Sequence, residues 1–144
     1  VAALDKAKAD EVKSYITAPI AGRILKLNGK IGEQIGAEGF AEIADTSTMT
    51  VRAEVYESDI ARIEIGGNAL VTSRSIDGQM NARVERIGAR ISKQSITSTD
   101  PAATVDARVV EVWLALDKTS SKRTENLSGL QVEIVFIPKG HPDA

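Results

Sequence analysis

Side chains suited to catalysis are scarce in this chain. Its single histidine, His141, stands near the end between Gly140 and Pro142, and cysteine is absent. A Ser-His-Asp relay needs a histidine held by a carboxylate, and a zinc site needs several imidazole or thiolate ligands, so both chemistries are excluded. Without cysteine there is no thiolate nucleophile and no disulfide framework. The carboxylates suggest structural roles. Glu54 and Tyr56 share one face of an alternating segment, and Glu57 and Asp59 open a short helical one, where acids complement the helix dipole. Lys26 and Lys30 lie in a glycine-punctuated stretch that lacks the Gly-x-x-x-x-Gly-Lys-Ser/Thr spacing of a phosphate loop. Asn28-Gly29 reads first as a hairpin turn. Trp113, the one tryptophan, is either a stacking platform or a cover for the second face of a sheet. No catalytic residue, metal ligand or cofactor is expected.

Composition narrows the class further. The chain has 144 residues, 18 basic and 20 acidic, for a net charge of −2. Phosphate backbones are bound by clustered Lys and Arg, so nucleic acid is not an expected partner. Aromatic residues make up only 3%, which makes any core aliphatic. The longest apolar run, Val112 to Leu116, is strand-sized and far short of the roughly 20 residues a spanning helix requires. The chain begins with Val1 inside a helical run without an N-cap, which reads as the cut end of a longer polypeptide.

The elements that would position these residues follow from periodicity. Residues 1–13 are good helix formers without Gly or Pro, with a thin apolar stripe of Val1, Leu4 and Val12 that Lys8 interrupts. So short a helix is marginal alone in water and needs a partner; otherwise it is a frayed arm. From Ser14 the pattern becomes extended, with Tyr15-Ile16-Thr17 before Pro19. Short apolar segments divided by Gly22, Gly29, Gly32, Gly36 and Gly39 then describe a small, tightly turning β-module to Asp45. Beyond Thr46 the strands lengthen. Met49, Val51, Ala53 and Val55 alternate with polar residues, Glu57 to Ile63 reads as a helical turn capped by Ser58, and Ala69 to Thr72 follows Gly66-Gly67-Asn68. Met80, Ala82 and Val84 alternate again, with a bulge expected at Ile87-Gly88-Ala89. Val105, Ala107 and Val109 hand their apolar phase to Val110, Val112, Leu114 and Leu116, which predicts another bulge or bend. The last strand is expected over 130–137, and 94–104 as a Ser/Thr-rich loop. Several strands, bulges and one short helix suggest a small antiparallel barrel.

Asp5-Lys6-Ala7 is similar to the turn on which lipoyl domains carry their modified lysine, although here it lies in a helix-forming run. A broader resemblance covers nearly the whole chain. Residues 14–45, headed by Tyr-Ile-Thr-Ala-Pro-Ile-Ala-Gly, resemble the C-terminal half of the lipoyl-like domain of haemolysin-D-type membrane-fusion proteins, the periplasmic adaptors of tripartite exporters. Met49 to Gly67 is similar to that family's entry into its β-barrel domain. Glu38 to Thr46, Asp106 to Val112 and Leu127 to Val132 look most like the DevB subfamily of ABC-exporter adaptors, known from cyanobacterial glycolipid export. At position 38 this chain has Glu where many relatives place Gly.

The resemblance implies a mainly β fold: 1–13 as the end of an α-helical hairpin, 14–45 as half of a lipoyl-like (barrel-sandwich hybrid) module, 46–138 as a small antiparallel β-barrel, and 139–144 as a tail. It implies assembly rather than chemistry. Such adaptors form rings, commonly hexamers, joining an inner-membrane ABC transporter to a TolC-like outer-membrane channel, in the periplasm and anchored to the inner membrane by a segment missing here. Half a module leaves apolar surface and strand edges uncovered, so it is expected to pair with missing sequence or with another copy. Glu57, Asp59 and Arg62 on the short helix, with loop 94–104, are the candidate subunit or transporter contacts. Two rivals are a lipoyl- or biotinyl-type carrier modified on Lys6 and a barrel-type module binding oligosaccharide or nucleic acid. Two Phe, two Tyr and one Trp spread through an acidic chain speak against the latter.

Overall fold

The computed structural model describes residues 1–93 and 108–138. The chain divides into two units, Val1–Asp45 and Thr46–Ala144. In the first, α1 spans Ala2–Lys13 and buries none of its residues. It stops at Ser14, whose hydroxyl turns back to the Asp10 carbonyl at 3.1 Å. Tyr15-Ile16-Thr17, read as extended, forms no strand among the described residues. β propensity needs a partner's backbone groups, and no strand pairs with it among the described residues.

β1 (Arg23–Leu27) and β2 (Ala41–Ala44) make a two-stranded antiparallel sheet. Gly22 precedes β1 because a Cβ there would stand 2.5 Å from the Ala44 carbonyl oxygen. Asn28-Gly29 is not a two-residue hairpin turn. Both amides donate to the Phe40 carbonyl, at 2.8 and 3.1 Å, and close a long loop at its base. No residue of 1–45 is buried.

The second unit is a curled, five-stranded antiparallel sheet in the order β3-β6-β5-β4-β7. Its strands are β3 (Thr50–Tyr56), β4 (Asn68–Ser73), β5 (Ile76–Lys93), β6 (Arg108–Leu116) and β7 (Glu133–Phe136). Alternation sets the inner face: Val51, Ala53 and Val55 from β3, Met80, Ala82 and Val84 from β5, and Val112, Leu114 and Leu116 from β6 join one aliphatic core. The 18-residue β5 is the device that curls the sheet. Its first part pairs with β4 from Ile76 to Arg83, and from Ala82 to Lys93 it pairs with β6. Register shifts between Val84 and Arg86, and between Ile87 and Ile91, lengthen β5 relative to β6 and bend it.

The bulge expected at Ile87-Gly88-Ala89 is there, but the one expected within β6 is not. β6 runs against β3 without interruption from Arg108's neighbour Val109 to Ala115. Val109 and Val110 are both buried on opposite faces, so the apolar phase shift reflects covering on two sides and the irregularity belongs to β5. Among the described residues the sheet is a half-barrel with β3 and β7 at its edges rather than a closed barrel. The last strand is also shorter than 130–137: Leu130 to Val132 approach it as irregular chain. Val105, Ala107, loop 94–104, His141 and the tail lie outside the described residues.

Candidate functional site

The residues singled out for contacts sit on the connection from β3 to β4. In place of a helix from Ser58 there is a single 3-10 turn, Ile60–Arg62, preceded by Asp59 and with no side-chain cap. The reason is length: the Asp59, Arg62 and Ile63 amides each bond a carbonyl three residues back, which closes tight turns one at a time. Ile60 and Ile63 tuck against the core and fix the corner. Asp59 and Arg62 are brought together, Arg62 Nη1 to Asp59 Oδ1 3.9 Å, while Glu57 lies before the turn, its amide donating to the Arg108 carbonyl at 3.1 Å. The Arg62 side chain is 85% exposed, so the pair contributes little stability, about 0–1 kcal/mol, and its charges remain available to a partner.

Trp113 lies on the outer face of the sheet, half-buried. Register sets Arg52 on one side of it and Arg86 on the other. The Arg86 guanidinium carbon stands 3.4 Å from the ring centroid, a cation-π stack, and Arg52 bonds Glu111 Oε1 at 3.0 Å. Of the two roles open to Trp113, the structure shows a half-buried ring on the second face with the Arg86 guanidinium stacked on it. The sequence carried no signal for its arginine partners, because their register depends on the β5 bulges. Gly88 belongs to the same constellation, since a Cβ there would lie 2.9 Å from the Glu111 carbonyl oxygen and 3.4 Å from the indole.

A helix not anticipated from the sequence closes one end of the sheet. α2 (Lys118–Thr124) starts at Asp117, whose carboxylate accepts from the Ser120 amide at 2.7 Å. Asp117 ahead of a run without Gly or Pro was the available signal. The helix buries hydroxyls: Ser121 Oγ accepts from the Met49 amide at 3.0 Å, Ser120 Oγ from the Asn81 amide at 3.2 Å, and Thr124 donates back to the Ser120 carbonyl. Arg123 adds bonds to the carbonyls of Asp77 and Gln79. The Ser120 amide and hydroxyl, then the Asn81 amide and the Arg123 charge, hold the Asp117 carboxyl below the ordinary aspartate value of 3.8 against a smaller opposing effect of desolvation.

Between α2 and the start of β3 lies a cleft of about 790 Å³. Met49, Val51, Val71, Met80 and Leu116 give it an apolar lining, which Leu127 to Val132 complete.

The other candidates separate. Lys6 is exposed in the middle of α1 rather than at a hairpin tip. Lys26 reaches Glu38 at 4.0 Å, and Lys30 stands exposed in the β1–β2 loop. Among the described residues no three His, Asp or Glu side chains gather to hold a metal ion, and no helix is long and apolar enough to cross a membrane.

No known family profile matches this chain, and no curated protein matches its sequence. A solved structure does: the membrane fusion protein Spr0693 from Streptococcus pneumoniae R6 superposes with a TM-score of 0.59 at 16% identity, over 96% of this chain and 56% of that one. The chain thus spans little more than half the length of that protein. With its N-terminal helix, small two-stranded sheet and curled antiparallel half-barrel, the chain has the fold of part of a membrane fusion protein.

Proposed function

We propose that this chain is part of a periplasmic adaptor subunit that joins an inner-membrane ABC transporter to a TolC-like outer-membrane channel, as a ring of six, for the export of glycolipid. The observation that carries this reading is the superposition of nearly the whole chain on a membrane fusion protein. The ABC transporter, the channel, the ring and the cargo come from the sequence resemblance to the DevB subfamily. Within the reading, 1–13 is the end of the helical hairpin, 14–45 the second half of the lipoyl-like module, 46–138 the barrel domain and 139–144 a tail.

Exposure in the first unit supports an assembly role. Ile24 and Leu27 are each 60% exposed and Ile31 fully so, an apolar surface that a folded adaptor covers with its other half-module. Glu57, Asp59 and Arg62 offer charges at a corner whose backbone is pinned, which suits a contact that must keep its shape. The carrier alternative asks for Lys6 at a turn, and α1 places it on a helix.

The test is the native protein recovered from the membrane fraction. An intact mass about three times 15.3 kDa, with an ABC transporter co-purifying, is the expected result. A mature chain near 15.3 kDa bearing a prosthetic group on Lys6 overturns the adaptor and makes this a carrier domain.

A further inference from the structure

The Asn28-Gly29 pair at the base of the β1–β2 loop carries a chemistry that the contacts described so far do not use. Asparagine is a thermolabile residue, because the backbone nitrogen of the residue after it can attack its Cγ and displace the side-chain amide. Glycine in that place leaves the attack unobstructed, having no side chain and the freest backbone. Of the four asparagines in the chain, Asn28 alone precedes glycine; Asn68 and Asn81 precede Ala, and Asn126 precedes Leu. The loop base makes that glycine obligatory. A Cβ on residue 29 would stand 2.4 Å from Phe40 Cδ2 and 2.8 Å from Cε2, so the ring lies where a side chain would go. A bulkier residue, which would slow the attack, has no room after Asn28. The same base also holds the reacting groups back. The Gly29 amide donates to the Phe40 carbonyl at 3.1 Å, beside the Asn28 amide at 2.8 Å. Asn28 Nδ2 donates across the loop to the Glu38 carbonyl at 3.4 Å, and both residues are half-buried.

We infer that Asn28 is a site of spontaneous deamidation gated by the Phe40 carbonyl: the closed loop base protects it, and opening of the base exposes it. In the open base the Gly29 nitrogen gives up its proton to water and attacks Asn28 Cγ. The N–Cγ bond forms, the Cγ–Nδ2 bond breaks, and the side-chain nitrogen takes a proton from water and leaves as ammonia. A succinimide ring then joins residues 28 and 29. Water adds to one of its carbonyl carbons and breaks that carbon's bond to nitrogen. Opening at the side-chain carbonyl leaves Asp, and opening at the main-chain carbonyl leaves isoaspartate, with the backbone routed through Cβ. Water is the only co-reactant. Either product replaces the donor to the Glu38 carbonyl with a carboxylate, so two acceptors face each other where a bond had been. Isoaspartate also lengthens the backbone between the two amides that bond Phe40, which removes the closure of the loop. The inference goes beyond the adaptor reading and does not depend on it, because it concerns the chemistry of one loop, whatever the protein joins.

Peptide mapping by mass spectrometry tests it on the native full-length protein, aged in mildly alkaline buffer both folded and unfolded in guanidinium. The readouts are the mass gain of amide-to-acid conversion at each asparagine and the isoaspartate content at residue 28. Asn28 is expected to react ahead of Asn68, Asn81 and Asn126 in both samples. In the folded protein it should react about tenfold more slowly than in the unfolded one, and hydrogen exchange at the Gly29 amide should be slowed by the same factor, since one local opening gates both. Equal deamidation rates in the two samples overturn the inference, because the loop base then protects nothing. Reaction at Asn28 in the unfolded sample alone overturns it as well. So does a slowing of deamidation that differs from the slowing of Gly29 exchange, which would place the gate at some bond other than the one to Phe40. None of these outcomes requires an export assay, so the inference can fail while the adaptor reading stands, and the reverse.

Discussion

At the scale of single residues, the outer face and the helix cap carry the clearest consequences. Trp113 is the only tryptophan, so its fluorescence reports its own surroundings. The Arg86 stack is partly open to solvent, a setting in which a cation-π contact contributes about 0.5–1 kcal/mol. A double-mutant cycle of Arg86→Ala and Trp113→Phe, read by denaturant unfolding, is expected to show coupling reduced to near the lower bound, and Arg86→Ala alone should shift the Trp113 emission. An unchanged emission would mean the stack is not populated in solution. Asp117 gives a pH dependence of known sign. Its folded pKa lies below the unfolded value near 3.8, so the unfolded state binds more protons between the two. The stabilisation is complete above the unfolded value and is lost as pH falls through the folded one. Asp117→Asn should lower the Tm at neutral pH and flatten the acid limb of the stability curve below about pH 4. An acid limb identical to the parent's would remove Asp117 from the cap.

Among the elements, β5 decides the shape of the sheet. Its register shifts let one strand serve two ladders, and Gly88 lets it pass over β6 at the second shift. Gly88→Ala puts a methyl group against backbone rather than against a flexible side chain, so the strand itself must move. A loss of about 1–3 kcal/mol is expected, measured as a lower midpoint of denaturation. A neutral substitution would show that the Glu111 carbonyl oxygen lies farther than 2.9 Å from the added methyl group. The strands themselves were largely legible. Val51, Ala53 and Val55, then Met80, Ala82 and Val84, face the core as their alternation required, because a period of two leaves one choice of face. α2 was not legible: its seven residues are polar throughout, and it is held by hydroxyls meeting strand ends far away in sequence, which no periodicity displays.

For the whole molecule, the consequences concern assembly. The first unit buries no residue, and among the described residues of the second the half-barrel has β3 and β7 at its edges, so both present surface that a larger structure would cover. If the corner of Glu57, Asp59 and Arg62 is a contact, Asp59→Lys and Arg62→Glu should leave the free energy of unfolding within about 0.5 kcal/mol of the parent, as exposed substitutions do, while weakening co-purification with the transporter. Undiminished ring formation and export in both variants would remove that corner from the interface.

The sequence by itself determined the class of answer: too few histidines and no cysteines for the common site chemistries, an aliphatic core, alternating strands and the place of one bulge. These are properties of composition and of short-range pattern, which the chain carries wherever it folds. Only the tertiary structure decided that Ser58 caps no helix, that the irregularity beside Val109 and Val110 lies in β5, that Arg52 and Arg86 flank Trp113, and that β3 is an edge of the sheet among the described residues. Each of these depends on which distant backbone groups satisfy one another, and hydrogen bonding across a sheet is settled by register between strands rather than by the sequence of either.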